Sequence, residues 1–414
     1  MSEPMAPTAA TAGLSAGELT APSRARRLDL AGWRREWAPA IKAAVASFVV
    51  FKVATEVIAL IAVYGAAFPR EVFRHPSLAY SFWGQWDGGW YLGLATNGYA
   101  QLEHVLIPPG RYQDGVAFAP ALPIMVRLTY RALHLNPLLA GLLVVSVCLL
   151  VALVGLYKLV EMDFGRGVAS TTLILLLVFP SAFFFTAVYA EAIVLMGAVW
   201  AVLMVRQDRL ALAGIFAAVA IMAKVAAGIV VVLMLIEYWE LHRSHLRSRW
   251  WRLGWLATPV VVLGAWSAYL EVRFHNPLAF LTAHQEWDHH FAPIWVPIAS
   301  SLQQLFNLSM FDQPHGIISL LDLLSVGVMA AAAVYLYLRV RRSYGIYCAL
   351  GLIIITSTGL LDSTYRHLLM VFPVFIAGAV LVQRRPWLER TLLVICAPLL
   401  AYALSRFVIT QWAG

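Results

Sequence analysis

PLLAGLLVVSVCLLVALVGLYKL, residues 137–159, carries no charge from Pro137 to Tyr157. A helix needs about 20 apolar residues to span the hydrocarbon of a bilayer, so this stretch is long enough to cross one. Outward from it, comparable runs occupy roughly 41–67, 182–205, 254–271, 316–339, 344–360, 367–383 and 391–410. Two stretches are ambiguous: 167–179 is interrupted by Phe179-Pro180, and 209–240 carries Lys224 at its middle. The pattern predicts an all-α polytopic membrane protein with about ten to twelve membrane segments. Composition agrees, because the 414 residues are 61% hydrophobic and 13% charged. Their mean hydropathy is +0.75. A soluble domain has roughly a quarter of its residues charged.

Before the first apolar run, residues 1–40 are rich in Ala, Pro, Ser and Thr, with a basic knot at Arg24, Arg26, Arg27, Arg34 and Arg35. They predict a disordered basic tail on the cytoplasmic side, leaving 41–414 as the membrane domain. A cleaved signal is not expected, since the run from Ile41 exceeds twenty residues and no small-residue cleavage site follows it. Lys and Arg favour cytoplasmic loops. The remaining basic clusters, 242–249, 339–342 and Arg384-Arg385, therefore push 68–118 and 272–315 to the opposite face. That assignment works if 209–240 crosses as two short helices and 119–134 lies in the interface. The other parity makes 209–240 one kinked helix and 119–134 a full span. Cys148, Cys348 and Cys396 sit inside apolar runs and imply neither a disulfide framework nor a metal site.

The first outside loop reads Phe82-Trp83-Gly84-Gln85-Trp86-Asp87-Gly88-Gly89-Trp90-Tyr91. One carboxylate framed by tryptophans and glycines suits a site at a membrane surface, where aromatic rings anchor and offer a stacking face. Lys224 is the single charge between Ala211 and Ile236, and an ionisable residue in such a run is a functional candidate. Snorkelling to an interface is the other reading. Glu191 follows Tyr189 at the outside end of a helix, and Arg366 with His367 lies in a short outside turn beside Asp362. His284, Gln285, Trp287, Asp288, His289 and His290 are read as a solvated or acceptor-facing loop. Adjacent histidines seldom aim at one metal centre, and no metal is expected. No phosphate loop or dinucleotide fingerprint occurs, so no cofactor and no nucleic-acid partner is expected.

Trp86-Asp87…Tyr91, Gly98-Tyr99 and Ala117-Phe118-Ala119-Pro120-Ala121-Leu122-Pro123 together resemble the first-loop pattern of the GPI mannosyltransferase II (PIG-V) family and its bacterial relatives. That family belongs to the GT-C glycosyltransferases. Phe179-Pro180…Tyr189-Ala190-Glu191, Gln285-Glu286-Trp287 and Tyr365-Arg366-His367…Phe372-Pro373 resemble its later segments in the same order, over roughly 45–385. The chain departs from the pattern at Ala119, Ala121, Lys224, Gly228, Asp288, His289 and His367.

The resemblance implies a GT-C bundle whose long first non-cytoplasmic loop contains interfacial helices. It also implies a polyprenyl-phosphate-mannose donor and Asp87 as general base, with inversion at the anomeric carbon. Lys224 and Arg366 would face the donor phosphate. Trp86, Trp90, Tyr91, Tyr189, Glu191, Gln285, Trp287 and His367 would line the substrates. Expected partners are a lipid-phosphate-linked sugar, membrane lipids and a glycan, glycolipid or protein acceptor. The arginine bias, with four lysines in all, suggests a bacterial cytoplasmic membrane with the site on its outer face. Three rivals are a flippase of lipid-linked saccharides, a non-catalytic partner subunit, and a glycan ligase with a lipid-diphosphate donor. A transporter would more naturally show paired repeats, and none is visible.

Overall fold

The computed structural model describes residues 30–65, 78–103, 105–107, 111–243, 250–313, 315–411 and 413. The expected disordered tail lies outside them up to residue 29, as do 66–77 of the first loop and 244–249 of the second basic cluster. The chain divides into two units, Met1–Pro39 and Ala40–Gly414. In the first, residues 30–39 are helical.

The described chain is almost wholly helical. Helix α1 (Leu30–Gly65) leads to α2 (Asp87–Asn97), then to an antiparallel hairpin of β1 (Val105–Ile107) and β2 (Arg111–Gln113) with Val105 opposite Gln113. After these come α3 (Ala121–Leu133), α4 (Pro137–Val178), α5 (Glu191–Arg206), α6 (Leu210–Ala223) and α7 (Ile229–His242). The last part holds α8 (Thr258–Phe274), α9 (Trp295–Phe306), α10 (Gly316–Arg339), α11 (Arg342–Thr356), α12 (Pro373–Arg384) and α13 (Pro386–Val408).

Six of the described helices are long and apolar enough to cross a membrane: Arg35–Gly65, Pro137–Val178, Val225–His242, Trp251–Phe274, Gly316–Arg339 and Pro386–Val408. The bent pair Thr364–Met370 and Pro373–Arg384, turning by 82°, makes a seventh if taken as one broken span. Leu210–Ala223 and Arg342–Thr356 are shorter apolar helices. This is a multi-pass membrane protein. Its outward faces are apolar, as at Val50, Val53 and Ile61 on α1 and Val260 and Val261 on α8, all exposed. Facing hydrocarbon, such rows need no protein partner, while the helix satisfies its own backbone.

Three ambiguities of the sequence are resolved in the structure. The run 209–240 is two helices folded back on each other. Lys224, after α6, lies near Glu191 at the start of α5, while Glu237 of α7 bonds Arg206 at the end of α5. Residues 167–179 form the second arm of α4, which breaks at Gly165 with φ 80°, a conformation that glycine adopts without penalty. Finally, 119–134 is the amphipathic α3, whose 13 residues reach only about 20 Å. It buries Leu122 and Val126 while Ile124 and Leu128 stay exposed. Its Arg127 donates to the Leu94 and Ala95 carbonyls, satisfying the open end of α2.

Helix α5 is the centre of the bundle and is buried along nearly all its length. A Cβ at Gly197 would stand 2.7 Å from the Phe216 carbonyl oxygen and 2.8 Å from Ala220 Cβ. The absence of a side chain there lets α5 and α6 pack backbone to backbone, as small residues do between membrane helices. The two ends of α5 hold two different ionic clusters. Arg206, at the last residue, bonds Asp163 at 2.6 Å, Glu237 at 2.9 Å and the Tyr344 hydroxyl at 2.7 Å. Arg341 bonds the same Glu237 at 2.7 Å. Glu191, at the first residue, belongs to the cluster described next.

Candidate active site

Four chain segments meet at the Glu191 end of α5. The loop 82–87 is anchored to the segment before α5, with Val188 N donating to the Trp83 carbonyl at 2.9 Å and the Tyr189 hydroxyl to the Gln85 carbonyl at 3.2 Å. This pairing sets the first turn of α2 beside the first turn of α5. Trp86, the residue before Asp87, holds φ 56° and ψ −126°. A bulky residue at positive φ stores strain of about 1–3 kcal/mol and persists only where its surroundings enforce it. The strain lies one residue from the carboxylate.

Arg366 joins the segments. Its Nη2 donates to Asp87 Oδ2 at 2.8 Å and its Nε to Glu191 Oε1 at 2.7 Å. The guanidinium also lies over the rings of Phe184 and Tyr189, 4.8 Å and 4.5 Å from their centroids. Lys224 Nζ is 3.7 Å from the same Glu191 oxygen. Two cations and two carboxylates therefore share one place. Their burial is unequal, with side-chain exposures of 0% for Glu191, 5% for Arg366, 24% for Lys224 and 25% for Asp87. The buried half is the Glu191–Arg366 pair, and the accessible half offers a carboxylate and an ammonium. Glu191 Oε2 is buried with no hydrogen-bond partner among the described residues, an expensive state for a carboxylate oxygen.

Arg366 is itself held. It lies in the helical turn Thr364–His367, where Tyr365 N donates to Asp322 Oδ1 of α10 at 2.8 Å and Ser181 Oγ to the Tyr365 carbonyl at 2.8 Å. The sequence reading passed over Asp322. Its signal was available, because it is the single acid in Gly316–Arg339 and its carboxyl is buried. Phe118 and Phe184 lie within the stretches 117–123 and 179–191 that carry the resemblance but were not singled out as site residues.

An aromatic wall stands one turn along α2. Trp90 stacks on Phe118 with centroids 5.9 Å apart, and Trp287 packs edge-on against both, at 5.5 Å and 5.4 Å. Tyr91 meets Phe118 at 5.0 Å. Burial, reinforced by Glu191 and Asp87, pushes the Tyr91 phenol well above its usual range, so it stays a neutral hydroxyl. His289 lies near Lys224, and burial followed by that ammonium lowers its pKa. His367 lies within electrostatic range of Lys224, Arg366 and His289.

Of the residues expected from sequence, Asp87, Tyr189, Glu191, Lys224 and Arg366 share the ionic cluster, with Tyr91 and His367 in its electrostatic field and Trp90 and Trp287 in the wall. Trp86 is 42% exposed. Gln285 is elsewhere, lining a cavity with Glu286. The His284 and His289 rings are 6.3 Å apart. Among the described residues, no group of three His, Cys, Asp or Glu side chains could hold a metal ion.

No protein-family model matches the chain, and no curated protein does. Among solved structures, the chain is similar to ArnT from Cupriavidus metallidurans bound to undecaprenyl phosphate, with a TM-score of 0.49 and 16% identity over 81% of this chain. It is also similar to the Archaeoglobus fulgidus oligosaccharyltransferase in the apo form, with a TM-score of 0.46 and 11% identity over 90% of this chain. A third likeness is to AglB from Archaeoglobus fulgidus in complex with an inhibitory peptide and a dolichol-phosphate, with a TM-score of 0.42 and 11% identity over 92% of this chain. The matches cover 60%, 56% and 57% of those longer chains.

Proposed function

We propose that this chain is a GT-C-type membrane glycosyltransferase that takes a hexose, most specifically mannose, from a polyprenyl-phosphate carrier on the non-cytoplasmic face. The observation that carries the reading is the cluster of Asp87, Glu191, Arg366 and Lys224 beside an aromatic wall. It combines a half-accessible carboxylate with two cations, and two helices begin there at Asp87 and Glu191. Helix N-termini favour negative charge, so the place suits a phosphate.

In the proposed reaction the acceptor hydroxyl gives its proton to the Asp87 carboxylate as its oxygen attacks the anomeric carbon. The bond from that carbon to the phosphate oxygen breaks from the opposite side, and its electron pair leaves with the polyprenyl phosphate. Inversion follows from this single displacement. Charge builds on the departing phosphate, and Lys224 and Arg366 are the cations that meet it. A carboxylate bonded to a guanidinium is a poor base. The reading therefore requires the donor phosphate to draw Arg366 toward itself, which returns basicity to Asp87 as the donor arrives.

Sidedness is supported by the two ends of α5. Fifteen rises of about 1.5 Å separate Glu191 from Arg206 by about 22 Å, most of a hydrocarbon thickness. The Arg206 cluster includes Arg341, from the basic run 339–342, so the positive-inside tendency assigns that end to the cytoplasm. The Asp87 end then faces outward, where no nucleotide sugar is at hand and a lipid-linked donor is the natural source.

Transfer of radiolabelled mannose from polyprenyl-phosphate-mannose, by the purified protein in liposomes with a membrane glycolipid extract, tests the proposal. Labelled product in the parent and none with Asp87→Asn is the expected result. Movement of labelled donor across the bilayer without product would instead identify a flippase.

A further inference from the structure

Helix α9, WVPIASSLQQLF from Trp295 to Phe306, lies in the loop 272–315. No charged residue occurs anywhere in 292–311, a long neutral stretch for a loop. At 3.6 residues per turn the helix divides into three faces. Pro297 is buried and Ile298, Ser301 and Leu305 are half-buried, which makes the face that packs on α10. Ser300, Gln303 and Gln304 are exposed on a second, polar face. The third face is Trp295, Ala299, Leu302 and Phe306, spaced four, three and four residues apart and so gathered within about 60° of arc. Trp295 is 67% exposed and Phe306 80%, so this apolar stripe points away from the protein. Protein, water and a third, apolar medium each have a face of α9.

Both ends of the helix are tied to the bundle at one level. Before α9, His290 N donates to the Thr358 carbonyl at 3.2 Å and Ala292 N to the Ser357 carbonyl at 3.1 Å, just past the end of α11. After α9, the turn Ser309–Asp312 closes on the first residue of α10, where a Cβ at Gly316 would collide with the Met310 carbonyl oxygen. Helices α10 and α11 meet at the Arg341 cluster, at their other ends. Measured along the helices from there, Ser357 lies about 22 Å away and Gly316 about 35 Å, which brackets a hydrocarbon thickness of about 30 Å. Helix α9 therefore runs along the membrane boundary on the Asp87 side. Its stripe continues the lipid-facing surface of α10, on which Ile317 and Leu324 are exposed.

We infer that α9 is an interfacial helix that docks on the lipid bilayer, with Trp295, Leu302 and Phe306 in the acyl boundary and Ser300, Gln303 and Gln304 in water. Tryptophan is favoured at that depth. Amphipathic helices that bind anionic membranes carry Lys and Arg on the polar face. Serine and glutamine offer no such charge, so the contact is apolar and indifferent to headgroup charge. The same loop carries Trp287 of the aromatic wall and His289, and the docked helix holds that segment at the membrane surface. None of this depends on the glycosyltransferase reading.

Two measurements on the full chain in phosphatidylcholine nanodiscs test the inference. The parent is irradiated with phosphatidylcholine bearing a diazirine near the top of one acyl chain, and adducts are mapped by mass spectrometry. Adducts on Trp295, Leu302 or Phe306 are expected; labelling of α1 and α8 without α9 would overturn the inference. For depth, Cys148, Cys348 and Cys396 are replaced and a nitroxide is attached to single cysteines at Leu302, Phe306, Ser300 and Gln304. Collision with oxygen relative to a water-soluble nickel chelate should be at least about fivefold higher at Leu302 and Phe306 than at Ser300 and Gln304. The ratio should hold when phosphatidylglycerol is added. Equal ratios at all four positions would put the stripe in water. Shielding of Leu302 and Phe306 from both collision partners would mean that protein covers it, a second copy if the labels also broaden one another's spectra. A ratio that appears only with phosphatidylglycerol would contradict the uncharged contact. Each of these three results overturns the inference.

Discussion

Nη2 of Arg366 lies 2.8 Å from Oδ2 of Asp87, joining residues 279 positions apart in the chain. The same guanidinium holds Glu191, so one buried cation joins a partly accessible carboxylate and a fully buried one. Their different exposures separate their roles in experiments.

Asp87→Asn keeps the side-chain shape and removes the proton acceptor. Transfer should fall by about 10²–10⁴-fold, the usual contribution of a general base. Thermal unfolding in detergent should stay within a few degrees of the parent, since Asp87 is the accessible member of its pair. Near-parental turnover would remove Asp87 as the base and revive the partner-subunit reading.

Glu191→Gln should do the reverse. Its carboxylate is fully buried between Arg366 and Lys224, and removing one partner of a buried ion pair costs about 3–5 kcal/mol. A marked drop in melting temperature is expected, measured alongside Asp87→Asn. A Glu191→Gln protein as stable as the parent would contradict the buried pair.

Lys224→Met retains the stem and removes the charge. If the ammonium meets the leaving phosphate, the loss is about 2–4 kcal/mol of transition-state stabilisation, or roughly 10²–10³ in rate. Lys224→Arg should recover much of it. Parental rates across a range of donor concentrations in the methionine variant would exclude the contact.

Asp322 is a positioning residue, since it touches Tyr365 N and reaches Asp87 only through Arg366. Asp322→Asn keeps an acceptor oxygen and should be mild. Asp322→Leu leaves the Tyr365 amide without its partner at a cost of about 1–3 kcal/mol. Its turnover should fall while the donor KM changes little. Equal activity of the two variants would show that the hydrogen bond does not set Arg366.

Topology can be read by cysteine labelling in intact cells, after replacing Cys148, Cys348 and Cys396. Leu106→Cys and Phe291→Cys, at exposed positions of the two long loops, should react with a membrane-impermeant maleimide, and Trp387→Cys, beside Arg384-Arg385, should not. Protection of either loop position would reverse the orientation and the donor side with it.

The membrane class, the apolar segments and the candidate residues Asp87, Glu191, Lys224 and Arg366 were legible along the sequence because each depends on its neighbours. A run of about 20 apolar residues can satisfy its backbone in hydrocarbon only as a helix, wherever the rest of the chain lies. A lone charge inside such a run is conspicuous for the same reason. Asp322 met that criterion as well and could have been named.

What no local pattern contains is which distant side chains meet. The fold-back at Lys224 depends on Glu191 holding one end of the α6–α7 pair and Arg206 holding Glu237 at the other. Both parities of 209–240 were open until those contacts existed. Likewise Phe118 between Trp90 and Trp287, and the cavity behind them, arise from loops far apart in sequence that pack over a shared helix. Spacing along a chain determines which residues share a helix face. Burial between helices decides which charges pair, because an unpaired charge in that low-dielectric setting costs too much to remain alone.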